Sequence, residues 1–318
     1  MKILVPQGIG DSVWCLLKIQ SLAKEEPIDI RIACWHRNSI EDRALSFLKR
    51  FKFVNSVEMY EMPRNKNDGP VLLPGPPADE NGIYRYISDG KTTLPDIDYV
   101  MIPNTPLEKA IRLENWLPEL ETNWQIMNEY QFDQKELKIA EDYYNDNKEF
   151  VIFFMASLAG NTTSGHNRNS LWRPEEWVDL GDKLHNKLGV NIVIVGTTWD
   201  EDYYHHSIKK LIKNKTYWKN CISKWEISQT YAIINKSRFV ISYQSGIGIV
   251  SHYLGKPVAI FWRPKGDSIS PNSYVSFEEG MATAWANPEY LASNRLMPCI
   301  YGRHKVNDIL DYIEKNNW

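Results

Sequence analysis

The chain opens on a short apolar run, Ile3-Leu4-Val5, which Pro6-Gln7-Gly8-Ile9-Gly10-Asp11 interrupts, and continues as an amphipathic stretch from Ser12 to Lys24. An apolar run, a glycine turn and then apolar positions at helical spacing (Val13, Leu16, Leu17, Ile19) predict strand, turn and helix. Ile28 to Trp35 alternates as a second strand would, and Ile40 to Phe51 returns to the helical period. A β-α-β-α opening implies parallel strands joined by right-handed crossovers. Residues 62 to 82 have a different texture. Five prolines and three glycines there suppress both helix and ladder bonding and predict a long surface loop. A strand from Tyr99 to Ile102 follows, then a proline-spaced segment holding Trp116 and Trp124, then a charged helix from Gln134 to Asn147.

A second alternating series starts at residue 149. It reads as strand Phe150–Met155, a polar loop from Ser157 to Ser170, helix Pro174–Leu188, strand Asn191–Val195 and helix Asp200–Ile212. A short strand near Cys221, helix Ile227–Asn235, strand Phe239–Ser242, helix Gly246–Leu254, strand Pro257–Trp262 and a last helix Lys305–Lys315 complete it. Two Rossmann-like units in tandem account for this pattern, an α/β architecture of two parallel sheets facing across a cleft. The polar string Asn145-Asp146-Asn147-Lys148 marks the expected boundary: residues 1–148 form one domain and 149–302 the second. The helix within 303–318 stands apart, with packing back toward the first domain left open.

The 318 residues carry 37 Lys and Arg against 40 Asp and Glu, a net charge of -3, which offers a phosphate polymer no overall attraction. Hydrophobic residues at 43% and charged residues at 24% exclude a disordered, collagenous or disulfide-stapled class. The four cysteines form no C-x-x-C pair, which argues against zinc ribbons and redox dithiols. No apolar run approaches membrane-spanning length, and the first residues lack a signal-peptide core, so the expected location is cytoplasmic, with a peripheral position at the inner membrane face left open. Twelve tryptophans are many for such a chain, and they could fill a core or line a site for flat ligands. Trp14 is the ring expected nearest the chemistry, while Trp199 and Trp225 follow strands of the second unit where a nucleobase could stack.

Three strand-to-helix turns suit a charged ligand. At Gly8-Ile9-Gly10-Asp11 the glycines let backbone N–H groups approach a ligand, and Asp11 reads either as a helix cap or as a general base. The string lacks the third glycine of a dinucleotide fingerprint, and the chain has no P-loop or nucleophile elbow. The loop containing Asn161, Thr162, Thr163 and Arg168, followed by Trp172 and Arg173, is rich in donors for diphosphate oxygens, although such a loop can equally be plain surface. Gln244-Ser245-Gly246 opens a helix whose free N–H groups could face an anion, with a simple Ser245 cap as the alternative. The histidines are scattered without a metal-ligand pattern, and Asp96-Ile97-Asp98 and Asp200-Glu201-Asp202 read as chance rather than as cation sites.

These turns resemble those of the family-nine glycosyltransferases, the ADP-heptose:lipopolysaccharide heptosyltransferase group with the GT-B fold. Met1 to Val5 with Gly8-Ile9-Gly10-Asp11 is similar to the family's opening strand and G-[IL]-G-D turn. Leu171-Trp172-Arg173-Pro174-Glu175-Glu176-Trp177 is similar to its W-P-x-E-x-[FW] helix start. Asn191 to Gly196 resembles its second donor-domain strand, and Ser242 to Pro257 its D-[ST]-G-x-x-H-x-x-x-x-L-G-x-P signature. The chain departs from that signature at Gln244, where the family has an acidic residue, and at Ile249, where it has histidine.

The resemblance implies an inverting glycosyltransferase, independent of metal and without a cofactor beyond its nucleotide-diphosphate sugar. Asp11 would be the base, beside the glycine turn of Gly8 and Gly10. Asn161, Thr162, Thr163, Arg168, Trp172, Arg173, Gly196, Trp225, Gln244, Ser245 and Gly246 would bind the donor. The expected acceptor is a glycan, a lipid-linked sugar or a lipopolysaccharide-type molecule. A modified DNA base, were the source a phage, and a nucleotide-sugar binding protein without catalysis are the alternatives.

Overall fold

The computed structural model describes residues 1–34, 41–61, 96–101, 103, 111–155, 172–262, 283–300 and 304–318. The proline-rich stretch 62–82 and the polar loop 157–170 lie outside the described residues. The chain divides into two compact units, Met1–Gln131 and Phe132–Trp318.

The first unit holds β1 (Lys2–Val5), α1 (Ile9–Leu22), β2 (Ile28–Cys34), α2 (Glu41–Leu48), β3 (Val54–Glu61) and β4 (Tyr99–Val100). Its sheet has the order β3-β2-β1-β4, every pair parallel. Strand β3 was not evident in the sequence: Val54-Asn55-Ser56-Val57-Glu58 alternates around too few apolar residues, as an edge strand with one neighbour can. Helix α1 buries nearly its whole length, including Lys18, which is fully enclosed. The Lys18 ammonium donates to the carbonyls of Glu114 at 3.2 Å, Leu117 at 3.4 Å and Leu120 at 2.9 Å. Asn123 N–H adds a bond to the Leu17 carbonyl at 2.8 Å, and Lys24 pairs with Glu121 at 2.7 Å. Residues 113–123 are thereby strapped along α1, with Leu117 held at φ +49°, a left-handed conformation unusual for a leucine.

The second unit holds α3 (Gln134–Asn147), β5 (Phe150–Phe154), α4 (Pro174–Leu188), β6 (Asn191–Ile194), α5 (Thr198–Tyr203) and β7 (Trp218–Asn220). It continues with α6 (Ile227–Lys236), β8 (Val240–Tyr243), α7 (Gly246–Tyr253), β9 (Val258–Trp262), α8 (Pro288–Ala292), β10 (Leu296–Ile300) and α9 (Val306–Lys315). Six strands, all parallel, run in the order β10-β9-β8-β5-β6-β7. Pro298 hid β10 from the sequence pattern. The strand lies at the sheet edge, where proline's missing N–H costs no ladder bond on the open side.

The division between units falls before α3, not at the polar string that ends it. Asp133 caps α3 in a reciprocal box with Glu136, and the helix packs on α6, with Glu141 paired to Lys236 at 2.5 Å. Asn145 to Lys148 is instead the end of that helix, closed by Lys148 at φ +52°. The last helix, α9, buries Val306, Ile309, Leu310 and Ile313 in the core that α4 supplies with Trp177, Leu180 and Leu184. Its apolar stripe is therefore accounted for inside the second unit. The expected helix Asp200–Ile212 begins earlier, at Thr198, and passes into a π turn at Tyr204–Ile208.

Burial pushes the Lys18 ammonium down to about 8, with Glu119 and Glu114 opposing the shift. Between that value and the ordinary 10.5 the unfolded chain holds a proton that the folded chain has lost, so stability rises with pH through the window. The rise in denaturation midpoint from neutral pH to about pH 10 is expected to be larger in wild type than in Lys18→Met. Equal slopes in the two proteins would assign the titration to another group.

Candidate functional site

Two of the three turns singled out in the sequence, Gly8 to Asp11 and Gln244 to Gly246, leave the carboxyl ends of strands, and the third, the polar loop 157–170, lies outside the described residues. In the first unit, Pro6 to Asp11 follows β1, which lies between β2 and β4. That is where the order of this sheet reverses, and ligands of open α/β sheets bind at such points. Gly8 is the N-cap of α1 and offers no side chain to its N–H groups. Asp11 sits in the first turn, with its carboxylate folded back so that a Cβ at Gly8 would lie only 2.7 Å from Asp11 Oδ2. A side chain at Gly8 would displace the Asp11 carboxylate from this position, although the backbone φ of -69° is ordinary. Gly10 is buried in the same turn, and Ser12 Oγ donates to the Pro6 carbonyl at 2.7 Å, fixing the loop on the strand.

In the second unit the sheet reverses between β5 and β8. Phe154 pairs with Ser242 and Phe153 with Ile194, so the carboxyl ends of β5, β6 and β8 lie side by side. After β8, Ser245 caps α7: its Oγ accepts from Gly248 N–H at 3.4 Å and shares a hydrogen bond of 3.1 Å with Ser242 Oγ. Gln244 and Gly246 are half-buried, and the Gln244 N–H donates to the Phe261 carbonyl at 3.0 Å. After β6 comes Gly196, whose carbonyl accepts from Ser223 N–H at 3.0 Å and which lies against the Asp200 carboxylate. Asp200 Oδ2 accepts from Thr197 N–H at 2.8 Å, and Asp98 Oδ2 from Lys2 N–H at 2.7 Å. Both D-x-D strings thus spend a carboxylate on backbone, and the described residues contain no group of His, Cys, Asp and Glu able to hold a metal ion.

After β7, Trp225 is half-buried and meets Tyr143 of α3 edge to face, with centroids 4.9 Å apart. Lys224 Nζ lies 5.3 Å from the Trp225 ring and 5.5 Å from the Tyr143 ring, an arrangement in which both rings attract the cation. Tyr143 OH is 3.6 Å from Cys221 Sγ, and burial raises both groups above their ordinary values. Neither Tyr143 nor Lys224 was singled out in the sequence. Tyr143 reaches this corner only because α3 folds onto the second unit, which local pattern does not carry.

Asn161, Thr162, Thr163 and Arg168 lie outside the described residues. Arg173 caps α4 through its backbone, donating from its N–H to Glu176 at 2.7 Å, and its guanidinium remains largely exposed at 72%. Trp172 is placed otherwise than a donor-binding ring requires. It is 2% exposed, set edge to face on Trp177 and 4.5 Å from the Phe261 centroid, so its faces are spent on packing. Trp14 is likewise buried at 4%. Trp116, Trp177, Trp218, Trp262, Trp285 and Trp318 are buried too, and Trp124 and Trp225 are half-buried, while Trp35 and the Trp199 side chain lie outside the described residues. Most of the tryptophan excess is core.

Ile249, at the position of the family's histidine, is also buried. His252 stands one turn later, fully enclosed. Its Nε2 accepts from Asn287 N–H at 3.0 Å, and burial pushes it down to about 3, so it is neutral and carries its proton on Nδ1.

Two parallel-stranded α/β units in one chain, with turns at the carboxyl ends of their central strands, define the architecture known as GT-B. No family model matches the chain, and no curated protein matches it by sequence. Solved structures do match along the full length. One is the ADP-heptose lipopolysaccharide heptosyltransferase II of E. coli, with TM-score 0.58 and 13% identity over 99% of this chain and 98% of that one. A family 9 glycosyl transferase of Veillonella parvula gives 0.56 and 12% over 99% and 96%. The E. coli heptosyltransferase WaaC with ADP gives 0.54 and 15% over 100% and 98%. At these identities the likeness establishes a shared fold.

Because Trp172 packs its ring on Trp177 of α4 and Phe261 of β9, its removal is expected to act on stability. Trp172→Ala should lower the free energy of unfolding by about 3–5 kcal/mol. A loss under about 1 kcal/mol in denaturant titration would return the ring to a binding role.

Proposed function

We propose that this chain is an inverting glycosyltransferase that moves a sugar from a nucleoside-diphosphate sugar to an acceptor hydroxyl. The observation that carries the reading is the full-length likeness to a heptosyltransferase solved with ADP, joined to the glycine-carboxylate turn after β1. In this reading Asp11 accepts the proton of the acceptor hydroxyl while that oxygen attacks the anomeric carbon from the face opposite the diphosphate. The bond from the anomeric carbon to the diphosphate oxygen breaks, and the nucleoside diphosphate departs with the electron pair. Negative charge grows on the leaving oxygens, so donors aimed at them lower the barrier more than donors that bind ground state and transition state alike. The N–H groups at the start of α7, with Thr162, Arg168 and Arg173, are assigned that role. Asn161, Thr163, Gln244 and Gly196 complete the donor's surroundings, and Trp225 is assigned to the nucleobase. With cations and a helix start facing the diphosphate, the reaction needs no metal. The acceptor is a glycan or a lipid-linked sugar.

A second reading, a nucleotide-sugar binding protein without catalysis, is favoured by one observation. Gln244 is neutral and Ile249 is sealed in the core, where the resembling family has an acid and a histidine.

Asp11→Asn is expected to lose about 10²–10⁴-fold in transfer rate with an unchanged affinity for the donor. Full transfer activity in that variant would refute the base assignment. Thermal-shift measurements with ADP-, UDP-, GDP- and CMP-sugars identify the nucleotide, since a ligand at about 100 times its Kd adds about 2.7 kcal/mol. A shift without transfer or donor hydrolysis, equal in wild type and Asp11→Ala, would establish the second reading, and no shift with any donor would count against both.

A further inference from the structure

Helix α5 passes at Tyr204–Ile208 into a π turn and then into hydrogen-bonded turns as far as Asn214, with Lys209 N–H bonded to the Tyr204 carbonyl and Ile212 N–H to that of Ile208. Ile208 and Ile212 turn into the core of the second unit. The opposite side presents His205, His206, Lys209, Lys210 and Lys213, all exposed. From Tyr203 to Lys219 the sequence has five lysines, no arginine and no acidic residue, in a chain whose net charge is -3. Lys215 is neutralised by Asp182. Among the described residues Lys209, Lys210, Lys213 and Lys219 form no ion pair, and the nearest acids along the chain, Glu201 and Asp202, lie before the stripe.

We propose that this lysine stripe docks the protein on an anionic lipid surface. Clustered lysines are attracted to anionic headgroups, each contributing on the order of 1 kcal/mol within a Debye length of the surface. The composition favours lipid over nucleic acid. The cations of the stripe are compact ammonium groups, with none of the guanidinium forks that grip phosphate backbones bidentately. The inference is independent of the glycosyltransferase reading, because it concerns a surface and not the turns that carry the chemistry.

The test is co-sedimentation with vesicles of phosphatidylcholine alone or mixed with phosphatidylglycerol, at low and high salt. Wild type is expected on the mixed vesicles at low salt only. The triple variant Lys209→Glu, Lys210→Glu, Lys213→Glu should partition about a hundredfold less. A charge-matched control, Lys49→Glu, Lys135→Glu, Lys315→Glu, removes exposed lysines elsewhere and should stay within a few-fold of wild type. Thermal melts of both variants check that they remain folded. Absence of wild-type binding to the mixed vesicles, or an equal loss in the control, would overturn the proposal. Tighter retention on DNA than on the mixed vesicles at the same salt would also overturn it.

Discussion

The second unit depends on one pairing, the parallel ladder that joins β5 to β8. The chain builds β5, β6 and β7 outward in one direction, then returns to lay β8 against the other side of β5 and builds β9 and β10 away from it. Because the pair is parallel, both strands end at the same edge, and their crossovers depart to opposite faces of the sheet. The register that sets Phe154 opposite Ser242 brings the Gln244-Ser245-Gly246 turn beside the exit of β5. An antiparallel β8 would have sent the start of α7 to the other end of the sheet.

The same device recurs in the first unit on a smaller scale. Strand β1 lies between β2 and β4, and the helix after it starts on a glycine with a carboxylate folded over it. The turn after β6 is built alike, with Gly196 pressed by Asp200. In that second copy the carboxylate is spent on Thr197 N–H, an example of how a helix start and an acid three positions on satisfy each other. The likeness shows what distinguishes a structural cap from a candidate base: the pattern is shared, and only chemistry performed on a substrate separates them.

Away from these turns the protein is held by enclosed and half-buried polar contacts that few local signals announce. Lys18 ties three carbonyls of a strap that includes the strained Leu117. Asp182 accepts from Tyr217 OH and Trp218 Nε1, both at 3.0 Å, and pairs with Lys215. Trp218 also lies so close to Gly181 that a Cβ there would fall 2.2 Å from its ring. Such contacts order loops that a sheet alone leaves free, at the cost of desolvating a charge.

Alternation and helical period along the chain were enough to determine two βα series, their parallel sheets and the turns after β1 and β8, because burying one face of each element dictates that spacing. They did not reveal β3 or β10, where an edge position relaxes the need for apolar residues and tolerates Pro298. Nor did they locate the division before α3, which rests on packing against α6 rather than on a change in composition. The fate of each tryptophan was likewise decided by tertiary structure. A ring that fills a core and a ring that stacks on a base have the same hydrophobicity and the same local context, and only the neighbours that reach it from distant elements tell them apart. Trp172 met Trp177 and Phe261 and became core, while Trp225 met Tyr143 and Lys224 at the edge of the sheet and stayed half-open.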